Sequence, residues 1–328
     1  MTSPFRSLLG GVPRRRLVAA AALGLLLAAC APATGPGADG GQTGETSADL
    51  RVVTTFLPIT LFTRAVAGDC AEVSALIPPS TGPHDFQSRP GDLVALRQAQ
   101  VLVKNGLEME DFLDKLVASA ENAGLTVIDS SRGVATIDSD DHGDDHGHDH
   151  GHSHGAVNPH IWLDPLRAVQ QVENIRDGLV EADPSCADGY RRNAEATIAE
   201  LRDLDASIAA ELAPFSGKTF VAFHDFAPYF AERYNLQAEF VVDVPEINPT
   251  PADLRRVSEI VEGSDLQALL SEPQEGNRSF NALAADLGVR VSVFDPLETG
   301  SEEDSRDPGT YLRVMRANVE ELRQAFGG

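Results

Sequence analysis

The sequence predicts an α/β protein with two parallel-sheet halves joined by one long, rigid helix. Short apolar runs alternate with longer amphipathic stretches from about residue 51 to the C-terminus, which is typical of βαβ units. The alternation occurs twice, before and after residues 184–214. Tyr190–Ala213, between the halves, contains neither proline nor glycine, and this predicts a stiff helical connector.

The first half, residues 50–183, is interpreted as an N-terminal α/β domain. Its strand candidates are short apolar runs bounded by polar or turn-forming residues. Strands are predicted at Arg51–Thr55, Val73–Ile77, Val101–Lys104 and Thr126–Ile128, and helices at Ile59–Ala67, Pro90–Ala99 and Met109–Asn122.

Residues 184–214 are interpreted as the connecting helix. Apolar side chains recur there every three or four positions, which places them on one helix face. They are Tyr190, Ala194, Ile198, Leu201, Leu204, Ile208 and Leu212.

The second half, residues 215–328, is interpreted as a C-terminal α/β domain. Thr250 precedes Pro251 and Asp253, which combines a capping hydroxyl, a first-turn proline and a carboxylate near the helix N-terminus. Strands are predicted at Lys218–Phe223, Ala238–Val242, Ala268–Ser271 and Val289–Phe294, and helices at Phe226–Tyr234, Pro251–Glu262, Ser279–Leu287 and Tyr311–Phe326.

The first 49 residues are predicted to direct export and anchoring. Residues 1–29 carry four arginines and no acidic residue, and they end in an apolar run too short to span a bilayer, as in a signal peptide. The run closes with Leu27-Ala28-Ala29-Cys30, which resembles a bacterial lipobox and predicts lipidation of Cys30. The alternative is an ordinary signal peptide with Cys30 incidental. Residues 30–49 contain no bulky apolar residue, so we expect a flexible tether.

The charge and the cysteines restrict the partners and the chemistry. A formal charge of −24 argues against nucleic acid as a partner, because phosphates would be repelled. Cys70 and Cys186 remain after lipidation, with no CxxC pattern. They lie far apart in sequence, so the sequence leaves open whether they form a disulfide in an oxidising compartment.

One segment, Asp138–Gly155, departs from the α/β pattern. It contains six histidines and six aspartates among glycines and serines, and no apolar residue. We expect a disordered loop that binds metal ions weakly at several positions, because imidazole is a good ligand for Zn²⁺. The alternative is a solvated, charged spacer. Its histidines are His142, His146, His148, His150, His152 and His154.

The three histidines outside this segment are His84, His160 and His224. Each lies at the end of a strand candidate or in a loop close to one, and Asp295 follows the last strand candidate in the same way. Ligand sites in open α/β sheets gather at the carboxyl ends of strands. Three imidazoles and one carboxylate would fill a tetrahedral zinc shell.

Several segments resemble the zinc-binding members of the metal-specific solute-binding lipoproteins that serve ABC transporters. Asn158-Pro159-His160-Ile161-Trp162-Leu163-Asp164-Pro165 is the most specific of them. The others, in family order, are Gly82–Phe86, Asn105–Glu108, Phe223–Asp225, Glu246–Pro251, Ser271–Gln274 and Phe294–Leu297.

The resemblance implies two related α/β domains with a metal site in the interdomain cleft. It carries ligand roles onto His84, His160, His224 and Asp295, and it implies an ABC permease as the partner, reached from a lipid-anchored position in the periplasm or at the cell surface. Manganese members tend to have glutamate at the position of His224, so the histidine favours Zn²⁺. Asp225 and Glu272 are candidates to orient the imidazoles, or alternatively helix caps or surface residues. Trp162 is expected in the core or the cleft wall.

High-affinity zinc capture for import by a monomeric protein is therefore the leading hypothesis, with the histidine-rich loop as an auxiliary collector or sensor. The alternatives are a metal store, a binding protein for Mn²⁺ or another divalent metal, and an adhesin of the same fold. A zinc hydrolase is not favoured, because a filled shell leaves no position for water and there is no HExxH motif.

Overall fold

The computed structural model describes residues 50–84, 86–138, 156–245, 248–264, 266–273 and 278–327, which belong to one compact unit. The expected signal peptide and tether, Cys30 and residues 139–155 lie outside this part of the chain. Within it, no helix is both long enough and apolar enough to cross a membrane.

Among the described residues, each half contains one four-stranded parallel sheet, as predicted. The first sheet has the order β2-β1-β3-β4 and the second the order β6-β5-β7-β8. The strands are β1 (Leu50–Thr54), β2 (Ala71–Ala75), β3 (Val101–Lys104), β4 (Thr126–Asp129), β5 (Thr219–His224), β6 (Gln237–Val242), β7 (Ala268–Ser271) and β8 (Arg290–Val293).

The shared strand order determines where a ligand site belongs. In the first sheet the winding reverses between β1 and β3, and in the second between β5 and β7. Crevices outside the carboxyl ends of strands at such reversals are where open α/β sheets bind ligands. The crevice positions therefore include Thr55 and Asn105 in one half, and His224 and Glu272 in the other.

The helices cover the sheets and connect the halves. Thr250 caps α7 as predicted: its hydroxyl accepts a hydrogen bond from Asp253 N, and Thr250 N donates to Asp253 Oδ2 over 2.8 Å. The helices are α1 (Leu57–Ala67), α2 (Pro90–Gln98), α3 (Leu113–Ala120), α4 (Pro165–Ala182), α5 (Ala187–Leu212), α6 (Pro228–Arg233), α7 (Pro251–Gly263), α8 (Arg278–Leu287) and α9 (Thr310–Ala325).

The long helix α5 confirms the predicted connector, and every apolar residue predicted on its inner face is buried. It does not act alone, because α4 packs along it. Helix α4 was not predicted, although Asp164 caps it by accepting from Leu166 N over 2.8 Å. The division at residues 183 and 214 stays an interpretation.

Helix α3 begins at Leu113 rather than at the predicted Met109, because residues 107–112 form turns instead of continuing as helix. Gly106, Leu107 and Glu108 have φ values of 90°, 57° and 62°, in the left-handed region that a right-handed helix cannot contain. The turn is held by Glu110, whose buried carboxylate accepts hydrogen bonds from Asn105 N over 2.8 Å and from Gly106 N over 3.1 Å.

The largest apolar cluster includes residues from both halves. Trp162 is fully buried in it, and its ring centroid lies 5.1 Å from those of both Phe56 and His160. Trp162 Nε1 donates to Pro296 O over 2.8 Å, and Tyr311 Oη donates to Trp162 O over 2.6 Å. Trp162 is therefore a core residue that supports the segment carrying His160 from both sides.

Cys70 and Cys186 are joined as a disulfide, with Cα atoms 6.1 Å apart. The bond connects the turn after α1 to the residue that precedes α5. Gly189 gives it room, because a Cβ atom there would lie 2.8 Å from Cys70 Sγ. The disulfide thus attaches the connector to the first half.

Candidate metal centre

Four side chains converge between the two halves. His84 lies in the loop after β2, and His160 lies between residue 156 and α4. His224 is the last residue of β5, and Glu298 lies in the loop after β8. Each offers one ligand atom, and the four atoms all lie within 4.8 Å of one another. The two halves therefore both contribute to a single group of possible ligands.

The spacing of these atoms fits one small ion. Glu298 Oε1 lies 2.9 Å from His160 Nε2 and 3.4 Å from Nε2 of both His84 and His224. The Nε2 atoms of His160 and His224 are 3.4 Å apart. A tetrahedral ion with Zn–N bonds of about 2.0–2.1 Å needs ligand atoms about 3.3 Å apart. The measured separations of these ligand atoms are thus already close to those in a tetrahedral zinc shell.

The ring of His160 is oriented by Asn158. His160 Nδ1 lies 2.9 Å from Asn158 Oδ1, which also accepts from His160 N over 3.0 Å. Since an amide oxygen is only an acceptor, Nδ1 carries the proton and the lone pair is left on Nε2. Nε2 faces Glu298 Oε1 at 2.9 Å and His224 Nε2 at 3.4 Å.

The ring of His224 is oriented by Glu272 in the same way. His224 Nδ1 lies 2.5 Å from Glu272 Oε1, and His224 N donates to the same oxygen over 3.2 Å. This carboxylate–histidine pair makes Nε2 the more basic and available nitrogen, an arrangement typical of zinc ligands. Glu272 takes this position because it directly follows β7, next to β5 in the sheet.

The electrostatics differ between the two fully buried histidines. Burial lowers the pKa of His160 to about 4, although Glu298 acts to raise it. Burial also acts to lower the pKa of His224, but the carboxylates of Glu272 and Glu298 hold it well above its usual value. Burial acts to raise the pKa of Glu298, whereas His224, His84 and His160 keep it well below its usual value. The site therefore keeps one carboxylate ionised among three imidazoles.

The carboxylate of Glu298 is buried inside this cluster. Glu298 is 1 % exposed, and its Oε2 has no hydrogen-bond partner among the described residues. An ionised oxygen buried in this way is costly unless a cation is near. Three imidazole nitrogens and one carboxylate are a donor set that suits Zn²⁺, so the residues present fit the ion.

The structure brings His84, His160 and His224 together, but Asp295 is not part of the cluster. Instead, Asp295 Oδ1 accepts from Leu297 N over 2.7 Å, and Asp295 N donates to Asn318 Oδ1 over 2.8 Å. Burial raises the pKa of Asp295 to about 6. The carboxylate in the cluster belongs to Glu298, which the sequence analysis missed. Its position could have indicated it, since Glu298 lies three residues after Asp295 in the same loop.

The other candidates are placed differently. Asp225 accepts from the amide of Asn158 at its Oδ2 over 3.0 Å, so it is one step removed from the imidazole of His160. Asp138 forms an isolated antiparallel bridge with Val157. The six histidines of Asp138–Gly155 lie outside the described residues.

Comparisons with known proteins agree with this geometry. The family model described as zinc-uptake complex component A, periplasmic, matches residues 52–325. The high-affinity zinc uptake system protein ZnuA of Bacillus subtilis is 30 % identical over 308 residues, which cover 93 % of this chain and 95 % of that protein. The zinc-binding lipoprotein AdcA of Streptococcus pneumoniae R6 is 30 % identical over 283 residues, which cover 84 % of this chain. The match spans only 55 % of AdcA.

A solved structure has a similar three-dimensional fold. The Zn(II)-bound ZnuA-like domain of Streptococcus pneumoniae AdcA superposes with a TM-score of 0.71 and 29 % identity, over 85 % of this chain and 99 % of that domain. Because the family model covers nearly the whole described region, the chain belongs to the zinc-uptake complex component A family of periplasmic proteins.

Proposed function

We propose that this protein captures Zn²⁺ outside the cytoplasmic membrane and delivers it to an ABC-type zinc importer. The ligands in this proposal are His84, His160, His224 and Glu298. The convergence of their four ligand atoms at near-tetrahedral spacing is the observation that carries it. The names of the B. subtilis and S. pneumoniae relatives support zinc as the cargo.

The donor set favours zinc over manganese. Three of the four donor atoms are imidazole nitrogens, whereas Mn²⁺ prefers harder oxygen ligands. Asn158 and Glu272 support this assignment, because each accepts from Nδ1 of its histidine and so directs Nε2 toward the proposed ion. Cu²⁺ and Ni²⁺ also bind nitrogen-rich sites, so site geometry and metal availability decide the selectivity among these three ions.

Capture suits the site better than catalysis. A catalytic zinc keeps a position for water beside three protein ligands, whereas here four side-chain atoms surround the ion position. We therefore infer that the protein is a metal-binding protein rather than a hydrolase. Delivery to a permease follows from the family membership and is part of the proposal.

Export and anchoring complete the proposal. Residues 1–29 would direct export and Cys30 would carry the lipid, which agrees with the name lipoprotein borne by the S. pneumoniae relative. The mature protein would act as a monomer at the outer face of the membrane. The histidines of Asp138–Gly155 would collect or sense zinc near the site, in contrast to a storage protein in which they would be the main reservoir.

The deciding experiment is calorimetric titration of the mature chain with Zn²⁺. His84→Ala, His160→Ala and His224→Ala should each abolish or sharply weaken one tight equivalent. Asn174→Ala is the control, because Asn174 donates to backbone oxygens of Ser130 and Arg132 away from the cluster. Unchanged stoichiometry and affinity in all three histidine variants would overturn the assignment.

A further inference from the structure

Tyr229 belongs to α6 in the second half but packs into the first half. It is fully buried and forms a small apolar cluster with Val134 and Ile161. The guanidinium carbon of Arg167 lies 4.6 Å from its ring centroid, a cation–π contact that adds to the packing. The ring is therefore held from several directions.

The hydroxyl of Tyr229 joins two backbone segments. It donates to Asn158 O over 2.6 Å and accepts from Ile137 N over 3.1 Å. Asn158 N in turn donates to Ile137 O over 3.0 Å. Burial raises the pKa of Tyr229, so the hydroxyl keeps the proton that it donates.

Asn158 transmits this constraint to the metal site. Its side-chain nitrogen donates to Asp225 O over 2.7 Å and to Asp225 Oδ2 over 3.0 Å. Its side-chain oxygen is thereby turned toward Nδ1 and N of His160. With its backbone held by Tyr229 and its amide held by Asp225, Asn158 has one orientation, and that orientation selects the tautomer of His160.

We propose that Tyr229 is a positioning residue for zinc binding, acting through Asn158 on the ring orientation and tautomer of His160. This inference rests on the proposed ligand role of His160. Loss of the hydroxyl removes the shared partner of Asn158 O and Ile137 N, and buried backbone groups move to recover such partners. Tyr229→Phe should therefore misplace Asn158 while it leaves the ring packing in place.

The first measurement compares Tyr229→Phe with Tyr234→Phe in the mature chain, by competition for Zn²⁺ with a chromophoric chelator. Tyr234 is the matched control, because its buried hydroxyl donates to Asp205 Oδ1 over 3.3 Å and does not contact Asn158. Tyr229→Phe should weaken the tight site by about 10-fold or more, the usual effect of losing support for a zinc ligand. Equal affinity in both variants would overturn the inference.

Spectroscopy separates positioning from a general loss of stability. Co²⁺ loaded into the tight site should show altered visible absorption bands in Tyr229→Phe but not in Tyr234→Phe, because the bands report ligand geometry. Unchanged bands in Tyr229→Phe would contradict a positioning role even if its melting temperature falls.

A double-mutant cycle tests the route through Asn158. Asn158→Ala keeps the Tyr229 hydroxyl and should also weaken zinc binding, so it provides a test even if Tyr229→Phe does not fold. The variant with both changes should bind like Asn158→Ala alone. Multiplicative losses, or wild-type affinity in Asn158→Ala, would overturn the route.

His160→Ala separates the positioning role of Tyr229 from the ligand role of His160. If it loses the tight site while Tyr229→Phe binds normally, the positioning role is wrong and the ligand assignment stands. If His160→Ala retains the tight site, the ligand assignment is itself wrong.

Discussion

Oε1 of Glu298 lies 2.9 Å from Nε2 of His160, and both side chains are almost completely buried. The two residues are 138 positions apart in sequence and come from different halves of the protein. Their contact therefore depends on how the two sheets face each other, and it makes Glu298 the carboxylate of the proposed zinc site.

Glu298→Gln and Asp295→Asn should have different effects on zinc affinity. Glu298→Gln removes the ionised ligand, so the Kd should rise by more than about 100-fold, since even supporting residues cost 10–100-fold. Asp295→Asn keeps the acceptor for Leu297 N and should change the Kd by less than about threefold. Chelator competition measures both, and the reverse ranking would restore Asp295 as the ligand.

Removal of the histidine-rich segment should leave the tight site intact. Asp138 and Val157 form an antiparallel bridge, so an Asn-Gly turn can replace residues 139–156 without straining the flanks. Calorimetry should then show one tight equivalent of Zn²⁺ and loss of the weak equivalents. A metal store would instead lose all tight binding.

Glu110 should make the stability of the metal-free protein depend on pH. Burial raises its pKa from 4.5 to about 7, despite hydrogen bonds from Thr55, Asn105 and Gly106 that act to lower it. The unfolded chain releases this proton near pH 4.5 and the folded chain near pH 7, so folding takes up a proton between these values. Glu110 therefore lowers the free energy of unfolding as the pH rises from about 4.5 to about 7.

The measurement is the free energy of unfolding of wild type and Glu110→Gln, in denaturant with a chelator, at pH 4.5 and pH 8. The wild type should lose about 3 kcal/mol relative to the variant across this range, at 1.36 kcal/mol for each pKa unit. The two variants are compared by the change between the two pH values, because Asn105 N and Gly106 N donate to different oxygens of Glu110, and glutamine replaces one of these oxygens by an NH2 group. Parallel pH curves would contradict the prediction.

Loss of the Cys70–Cys186 bond should lower stability much more than zinc affinity. The bond closes a loop across a sequence separation of 116 residues, for which the chain-entropy model gives roughly 4–5 kcal/mol. The Cys70→Ser/Cys186→Ser variant should melt at a lower temperature than oxidised wild type and should not respond to reductant. Wild type that is also insensitive to reductant would show that the bond does not contribute.

The sequence predicted the strands and the long helix because their signals are local. Short runs rich in β-branched residues, such as Val101–Lys104, are typical of buried strands, and the spacing from Tyr190 to Leu212 fits a single helix face. Helix α4 was missed although its signals are also local, since Asp164 and Pro165 begin it. The start of α3 was wrong because Glu110 folds back on Asn105 and Gly106, and a hydrogen bond of this kind has no periodic pattern.

By itself, the sequence determined the class of fold, the three histidines outside the histidine-rich segment, and the nitrogen-rich chemistry that favours zinc. Only the tertiary structure decided which carboxylate joins them, which residues orient the imidazoles, and that Cys70 meets Cys186. Residue type and strand ends are properties of short stretches, so they can be read locally. The distance between Glu298 and His160 depends on the packing of two sheets through Trp162 and α9, and it exists only in the folded chain.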